Sequence, residues 1–135
     1  MSKEMKAWVY KQCTFDAAHQ LPDYPGDCAR IHGHTYIVKL GVLTTVDQKT
    51  GYGLDMKEIS EFLKTNVIGR FDHHFLNEKM PNTPTTAENI AFEIVAVAVE
   101  FFQAQVKVCV YETPDSWVEV HDAPKVKNLH PLEVS

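Results

Sequence analysis

The chain has no long apolar run, no basic cluster and few cysteines, and each shortage removes a class of function. No stretch approaches the about 20 consecutive apolar residues that a bilayer-spanning helix needs, so no membrane partner is expected. Lys and Arg number 13 against 18 Asp and Glu, a formal net charge of −5. Without a cationic patch a phosphate backbone finds little to hold, so nucleic acid is not an expected partner either. The three cysteines, Cys13, Cys28 and Cys109, are odd in number and far apart. That suits reduced thiols in a cytoplasm, not a disulfide framework. The opening MSKEMKAWVY shows neither the apolar segment nor the cleavage site of a secretion signal. Internal repeats and low-complexity segments are missing too.

What remains is an ordinary globular composition, 44% hydrophobic and 23% charged over 135 residues. That is enough chain to bury a core without covalent staples, and residues 1–135 read as one domain. Residues 5–15 alternate loosely around Trp8, Val9, Tyr10 and Phe15, a strand pattern. LPDYPGDC is a loop. From His32 to Thr45 a longer alternation carries Tyr36, Val38, Leu40 and Val42, a second strand, and DQKTGYG is a turn. Asp55, with Glu58 three residues on, has the form of a capping box, and Met56, Ile59, Phe62, Leu63 and Val67 recur at helical spacing. FDHHFLNEKMPNTP reads as a loop. A second helix is expected to start near Thr85, again with a glutamate, Glu88, three residues later. VKVCVYE and SWVEVH flank a Thr-Pro-Asp turn and form a hairpin, and the tail from Asp122, with two prolines and no period, reads as loosely ordered. The order β-β-α-α-β-β predicts an α+β layer: an antiparallel sheet with both helices on one face. Its open edges favour oligomerisation.

Chemistry concentrates in FDAAHQL and DCARIHGHTY. His32 and His34, at i and i+2 on a strand, point to one face a few ångströms apart, the geometry of a two-histidine metal grip. His19 is the nearest candidate for a third ligand. Three neutral imidazoles with an open fourth position describe a catalytic zinc, although imidazole donors also suit iron and nickel. Cys28 fits two roles on spacing alone. As a fourth ligand it would close the shell and make the zinc structural; standing off the metal, it offers a thiolate as base or nucleophile. Cys13 and Cys109 lie in strand patterns and are assigned to the core.

Asp72-His73-His74 forms a second cluster. A carboxylate can fix the tautomer of a neighbouring histidine and raise its basicity, but adjacent residues do so only where the backbone turns. Glu112 ends an apolar strand, where a carboxylate can take the N–H edge of a planar heterocycle through two parallel hydrogen bonds. His121 and His130 read as exposed polar residues.

FDAAHQL, CARIHGH, FDHHFLN, TAENIA and YETPDSW, in this order, resemble the 6-pyruvoyl-tetrahydropterin synthase family, over roughly residues 8–121. Within it they are most similar to the 6-carboxy-tetrahydropterin synthase branch of queuosine biosynthesis. The spacing Cys-x-x-x-His-Gly-His from Cys28 to His34 carries that choice, since biopterin-pathway members have a longer gap, and the ETPxSW ending agrees. The resemblance implies zinc held by His19, His32 and His34, and Cys28 off the metal as the catalytic base. Asp72 and His73 would be its relay partners and Glu112 the anchor of the pterin's N–H edge. Thr86 and Glu88 fall in the family's TxEN segment near the pterin pocket, although helix capping explains them as well. The implied fold is the tunnelling fold, or T-fold, closing into barrels as a homohexamer, a dimer of trimers, with active sites between subunits. The implied substrate is 7,8-dihydroneopterin triphosphate; the products are 6-carboxy-5,6,7,8-tetrahydropterin, acetaldehyde and triphosphate. A sister activity that stops before carbon–carbon cleavage uses nearly the same residues. Met56 and Thr83 to Thr85 depart from the family's commonest choices.

Overall fold

A computed structural model of the chain describes residues 4–125. Strand β1 (Lys6–His19) and strand β2 (His32–Thr45) pair antiparallel along their whole length, from Lys6 opposite Thr45 to His19 opposite His32. Alternation does what the sequence expects of it. Phe15, Ala17, Tyr36, Val38, Leu40 and Val42 are buried on one face, while Asp16 and Thr35 are exposed on the other. β4 (Val106–Thr113) pairs with β2, and β5 (Ser116–Asp122) with β4, both antiparallel.

Helix α1 (Met56–Leu63) starts at Asp55, whose carboxylate accepts from the Lys57 backbone N–H at 2.9 Å. Glu58 N–H instead meets the Asp55 carbonyl at 3.0 Å. The helical path continues through one π turn, Lys64–Ile68, into the short α2 (Gly69–Phe71). Ile59, Phe62, Leu63, Val67 and Phe71 all face the core, whereas Met56, in the first turn, is 55% exposed and is no part of the apolar stripe. Helix α4 (Ala87–Phe102) buries Ile90, Ala91, Ile94, Val95 and Ala98 against the sheet. Its cap is Thr86, not Thr85: the Thr86 hydroxyl accepts from Asn89 N–H at 3.2 Å. Glu88 is thus the second helical residue, exposed in the first turn, where its charge complements the helix dipole without closing a capping box. Thr85 is left free to face the core, fully buried.

The expected loop after α2 is the main departure. It contains a two-residue strand, β3 (His74–Phe75), and one helical turn, α3 (Leu76–Lys79). β3 runs parallel to β1, with Ala17 opposite His74, so the sheet has five strands in the order β3-β1-β2-β4-β5. Two residues are too few to show a period. What fixes the segment is burial of Phe71, Leu76 and Met80 at irregular spacing. At the other end β5 runs through Asp122, so that residue belongs to the sheet and not to the expected loose tail; residues 126–135, including His130, lie outside the described residues. His121 belongs to β5, its Nε2 2.6 Å from Glu119 Oε2. Among the described residues no helix is long and apolar enough to cross a membrane.

Candidate functional site

Strand register assembles the three histidines. His19 lies directly opposite His32, and His34, opposite Ala17, falls on the same core-facing side. Their ring nitrogens gather within 4.8 Å of one another, and His19 Nε2 stands 2.9 Å from His32 Nε2. The other ring nitrogens fix the proton positions. His19 Nδ1–H donates to the Thr85 carbonyl at 2.8 Å, and His32 Nδ1–H donates to the Arg30 carbonyl at 2.8 Å. A carbonyl only accepts, so both Nδ1 atoms carry the proton and two Nε2 lone pairs face each other. At 2.9 Å that arrangement is repulsive unless a cation shares the lone pairs. His34 Nε2 is buried with no hydrogen-bond partner, although Glu112 Oε1 is 3.3 Å away. Burial pushes the pKa of His19 and of His34 down and keeps both rings neutral, the form that ligates metal. The donor set therefore fits zinc: three neutral imidazoles, two of them oriented by carbonyls, with room for a fourth ligand.

Glu112, near the end of β4, is half-buried, and its Oε1 also lies 3.5 Å from His19 Nε2. Below the cluster Tyr36 stacks on Phe15, its hydroxyl buried without a partner and its pKa raised by burial and by the Glu112 charge.

Cys28 is half-buried on a single 3₁₀ turn, Asp27–Ala29, and its carbonyl accepts from Leu21 N–H at 2.8 Å. Among the described residues, the groups placed to hold a metal are His19-His32-His34 and Asp16-Asp72-His73; the Cys28 sulfur is in neither. Cys13 packs half-buried against the core, and burial raises its thiol to about 11. Cys109 is buried as well but sits outside the core cluster: its thiol, also raised to about 11, donates to Glu119 Oε1 at 3.2 Å.

Asp72 and His73 meet through a backbone turn, with His73 at φ 59°. His73 Nδ1 is 2.9 Å from Asp72 Oδ2, and Asp72 Oδ1 accepts from Asp16 N–H at 2.9 Å. His73 N–H in turn donates to the Asp16 carbonyl at 2.7 Å. The Asp16 amide, followed by His73, holds the Asp72 carboxyl below its usual range, and the Asp72 carboxylate raises the His73 pKa. The Asp16 side chain accepts from Thr35, so this pair is anchored on the open face of the sheet, opposite the face that carries the histidine cluster. The structure thus brings His19, His32, His34 and Glu112 together, and brings Asp72 to His73; among the described residues no hydrogen bond or ion pair links the two groups, although His34 and His73 border one cavity. Thr86 and Glu88 lie at the start of α4; the Thr86 hydroxyl is engaged as the cap and Glu88 is exposed. Sequence reasoning missed Asp16, Thr85 and Asn77, whose roles come from partners 56 to 66 residues away. The one available signal was parity: Asp16 sits three residues before His19, hence on the other face of a strand.

The sequence pattern of the 6-pyruvoyl tetrahydropterin synthase family matches residues 8–123, and the chain belongs to that family. A 6-carboxy-5,6,7,8-tetrahydropterin synthase of Synechocystis is 36% identical over 92 residues, covering 65% of this chain and 71% of that protein. A 6-pyruvoyl tetrahydrobiopterin synthase of Drosophila melanogaster is 32% identical over 132 residues, covering 84% of this chain and 79% of its own. The solved 6-pyruvoyl tetrahydropterin synthase of Caenorhabditis elegans shares the fold, with a TM-score of 0.80 at 22% identity over 91% of this chain and 100% of that one.

Proposed function

We propose that the protein is a zinc-dependent carbon–carbon lyase that converts 7,8-dihydroneopterin triphosphate to 6-carboxy-5,6,7,8-tetrahydropterin, acetaldehyde and triphosphate, a cytoplasmic step of queuosine biosynthesis. The observation that carries this reading is the convergence of imidazole Nε2 atoms beside Glu112. The Cys28 to His34 spacing and the Synechocystis relative support the carboxy branch.

His19, His32 and His34 would hold the zinc, which when bound supplies Lewis-acid polarisation to the substrate's side-chain oxygens. Glu112 takes the N–H edge of the pterin through paired hydrogen bonds and sets the ring's orientation against the histidines. Cys28, on its loop, takes a proton from the carbon chain as thiolate. His73, oriented by Asp72 and with its pKa raised by that carboxylate, exchanges a proton on the other side of the substrate. Loss of the carbon-bound proton gives an enol from which triphosphate is eliminated, and the carbon–carbon cleavage that releases acetaldehyde consumes one water, whose oxygen stays in the new carboxylate. Thr86 and Glu88 complete the pterin pocket from the start of α4. A cavity of about 490 Å³ bordered by Gln20, Asn77 and Thr86 supports a ligand-facing role for this end of the molecule.

The opposite parity of the two clusters supports an active site made between copies, with one subunit's Asp72 and His73 reaching a neighbour's zinc and Cys28 in a homohexamer, a dimer of trimers. The chain, residues 1–135, acts as one domain in that assembly.

The test is a mass spectrum of the product after the zinc-loaded protein meets dihydroneopterin triphosphate. Carboxytetrahydropterin with acetaldehyde is expected. A pyruvoyl product would move the protein to the sister activity that the Drosophila relative is named for. Unchanged substrate would overturn the reading. Light scattering on the eluting protein tests the assembly, and a monomer would remove the shared site.

A further inference from the structure

Asn77, on the single turn α3, has no part in the chemistry above, yet its side chain is fully engaged at the metal cluster's edge. Its Nδ2–H donates to the Gln20 carbonyl at 2.8 Å, and its Oδ1 accepts from Gln20 N–H at 2.9 Å. A side-chain amide so paired does what a neighbouring strand would do for the residue that follows His19. β1 ends at His19, so its backbone there would otherwise lose its ladder on that side.

Thr85 adds the second hold. Its hydroxyl lies 3.4 Å from Asn77 Oδ1, as donor, and 3.2 Å from His19 Nδ1. Its carbonyl takes the His19 Nδ1–H. Both His19 and Thr85 are 0% exposed, so water does not compete for these groups. The other histidines are held differently. His32 uses a carbonyl two residues back in its own chain, and His34 Nε2 has no hydrogen-bond partner. His19 alone depends on two distant segments, and both meet at Asn77.

We infer that Asn77, acting with Thr85, is a positioning residue for His19: it fixes the backbone and ring of that histidine so that Nε2 is presented to a divalent transition metal. The inference rests on the proposed metal site. Partners in the shell behind a metal ligand are typically worth 10- to 100-fold in affinity.

The experiment is zinc affinity of the full-length protein by competition with a chromogenic chelator, read beside thermal unfolding of the metal-free protein. Asn77→Asp keeps the acceptor but loses the amide donor and sets a charge against the Gln20 carbonyl. About 10- to 100-fold weaker zinc binding is expected. Thr85→Val, which keeps the carbonyl and loses the hydroxyl, weakens binding less, and Thr85→Ser restores it. Wild-type affinity in Asn77→Asp, with only the metal-free melting point lowered, would show a structural residue and overturn the inference. If Asn77→Asp fails to fold, the threonine pair decides: equal affinity of Thr85→Val and wild type overturns it. Wild-type protein that binds no zinc would instead sink the metal site itself, and this inference with it.

Discussion

On the covered face of the sheet, His19 and His34 sit beside a carboxylate, Glu112, and are pushed toward the neutral form; on the open face, His73 sits beside a carboxylate, Asp72, and is pushed toward the charged form. The residue types are the same. What differs is water. His19 is 0% exposed, and the loss of solvation outweighs the attraction of Glu112; the His73 side chain is 80% exposed, so the hydrogen bond to Asp72 decides. Burial favours the neutral imidazole in one set, and exposure leaves the other to its hydrogen-bonded carboxylate.

That division can be broken experimentally, most drastically at the site itself. Cys28→Ala is expected to lower kcat by about 10²- to 10⁴-fold with zinc content unchanged, whereas His32→Ala loses zinc and turnover together. Metal analysis of the purified variants beside their turnover checks both. Release of zinc from Cys28→Ala would mean that the cysteine closes a structural shell, and the protein would then be a zinc-stabilised binding module.

The faces should also differ in what they contribute to stability. Leu40→Ala, on the covered face at 0% exposure, is expected to cost about 2–5 kcal/mol in chemical denaturation. Its neighbour Lys39, on the open face with its ammonium 4.8 Å from the Tyr111 ring centre, should cost about 0.5–1 kcal/mol when changed to alanine. Equal losses would mean that the open face is covered in solution, as a barrel of subunits requires of part of it.

A third measurement asks whether face or burial controls titration. Cys13 faces the core and Cys109 the open side, yet burial raises both to about 11. Thiol labelling at pH 8 should therefore leave both slow and modify Cys28 first, a pattern read by peptide mass spectrometry. Rapid labelling of Cys109 alone would restore the face as the deciding variable.

The smallest effect belongs to the exposed pair. Asp72→Asn removes the carboxylate that raises the His73 pKa, so the His73 NMR titration should move down toward the ordinary histidine value. The sign for stability follows. The folded-state pKa of His73 is raised, so its stabilisation is complete below the unfolded-state value and fades as pH rises through the folded one. In Asp72→Asn that pH dependence above the ordinary histidine value should flatten.

Much of this was legible because period reports face. The alternation from Tyr36 to Val42 predicted which side of β2 is buried, and His32 with His34 then had to share it. His19 followed from its place as the nearest further histidine, in FDAAHQL, and the motif resemblance agreed. The segment after α2 was opaque because two strand residues and one helical turn have no period, and its shape depends on where Phe71, Leu76 and Met80 find space in the core. The α4 cap slipped by one because Thr85 and Thr86 are chemically alike. Packing chose which hydroxyl caps the helix and which meets His19.

The sequence by itself determined the order of the four long strands and the two main helices, the covered side of β2 and the residue types of both clusters, since these depend on local spacing. Tertiary structure decided the rest. Register set His19 opposite His32, β3 carried Asp72 and His73 to the far face, and Thr85 and Asn77 were brought to a histidine dozens of residues away. Those outcomes come from hydrogen-bond pairing and burial between distant segments, which no local pattern of residues encodes.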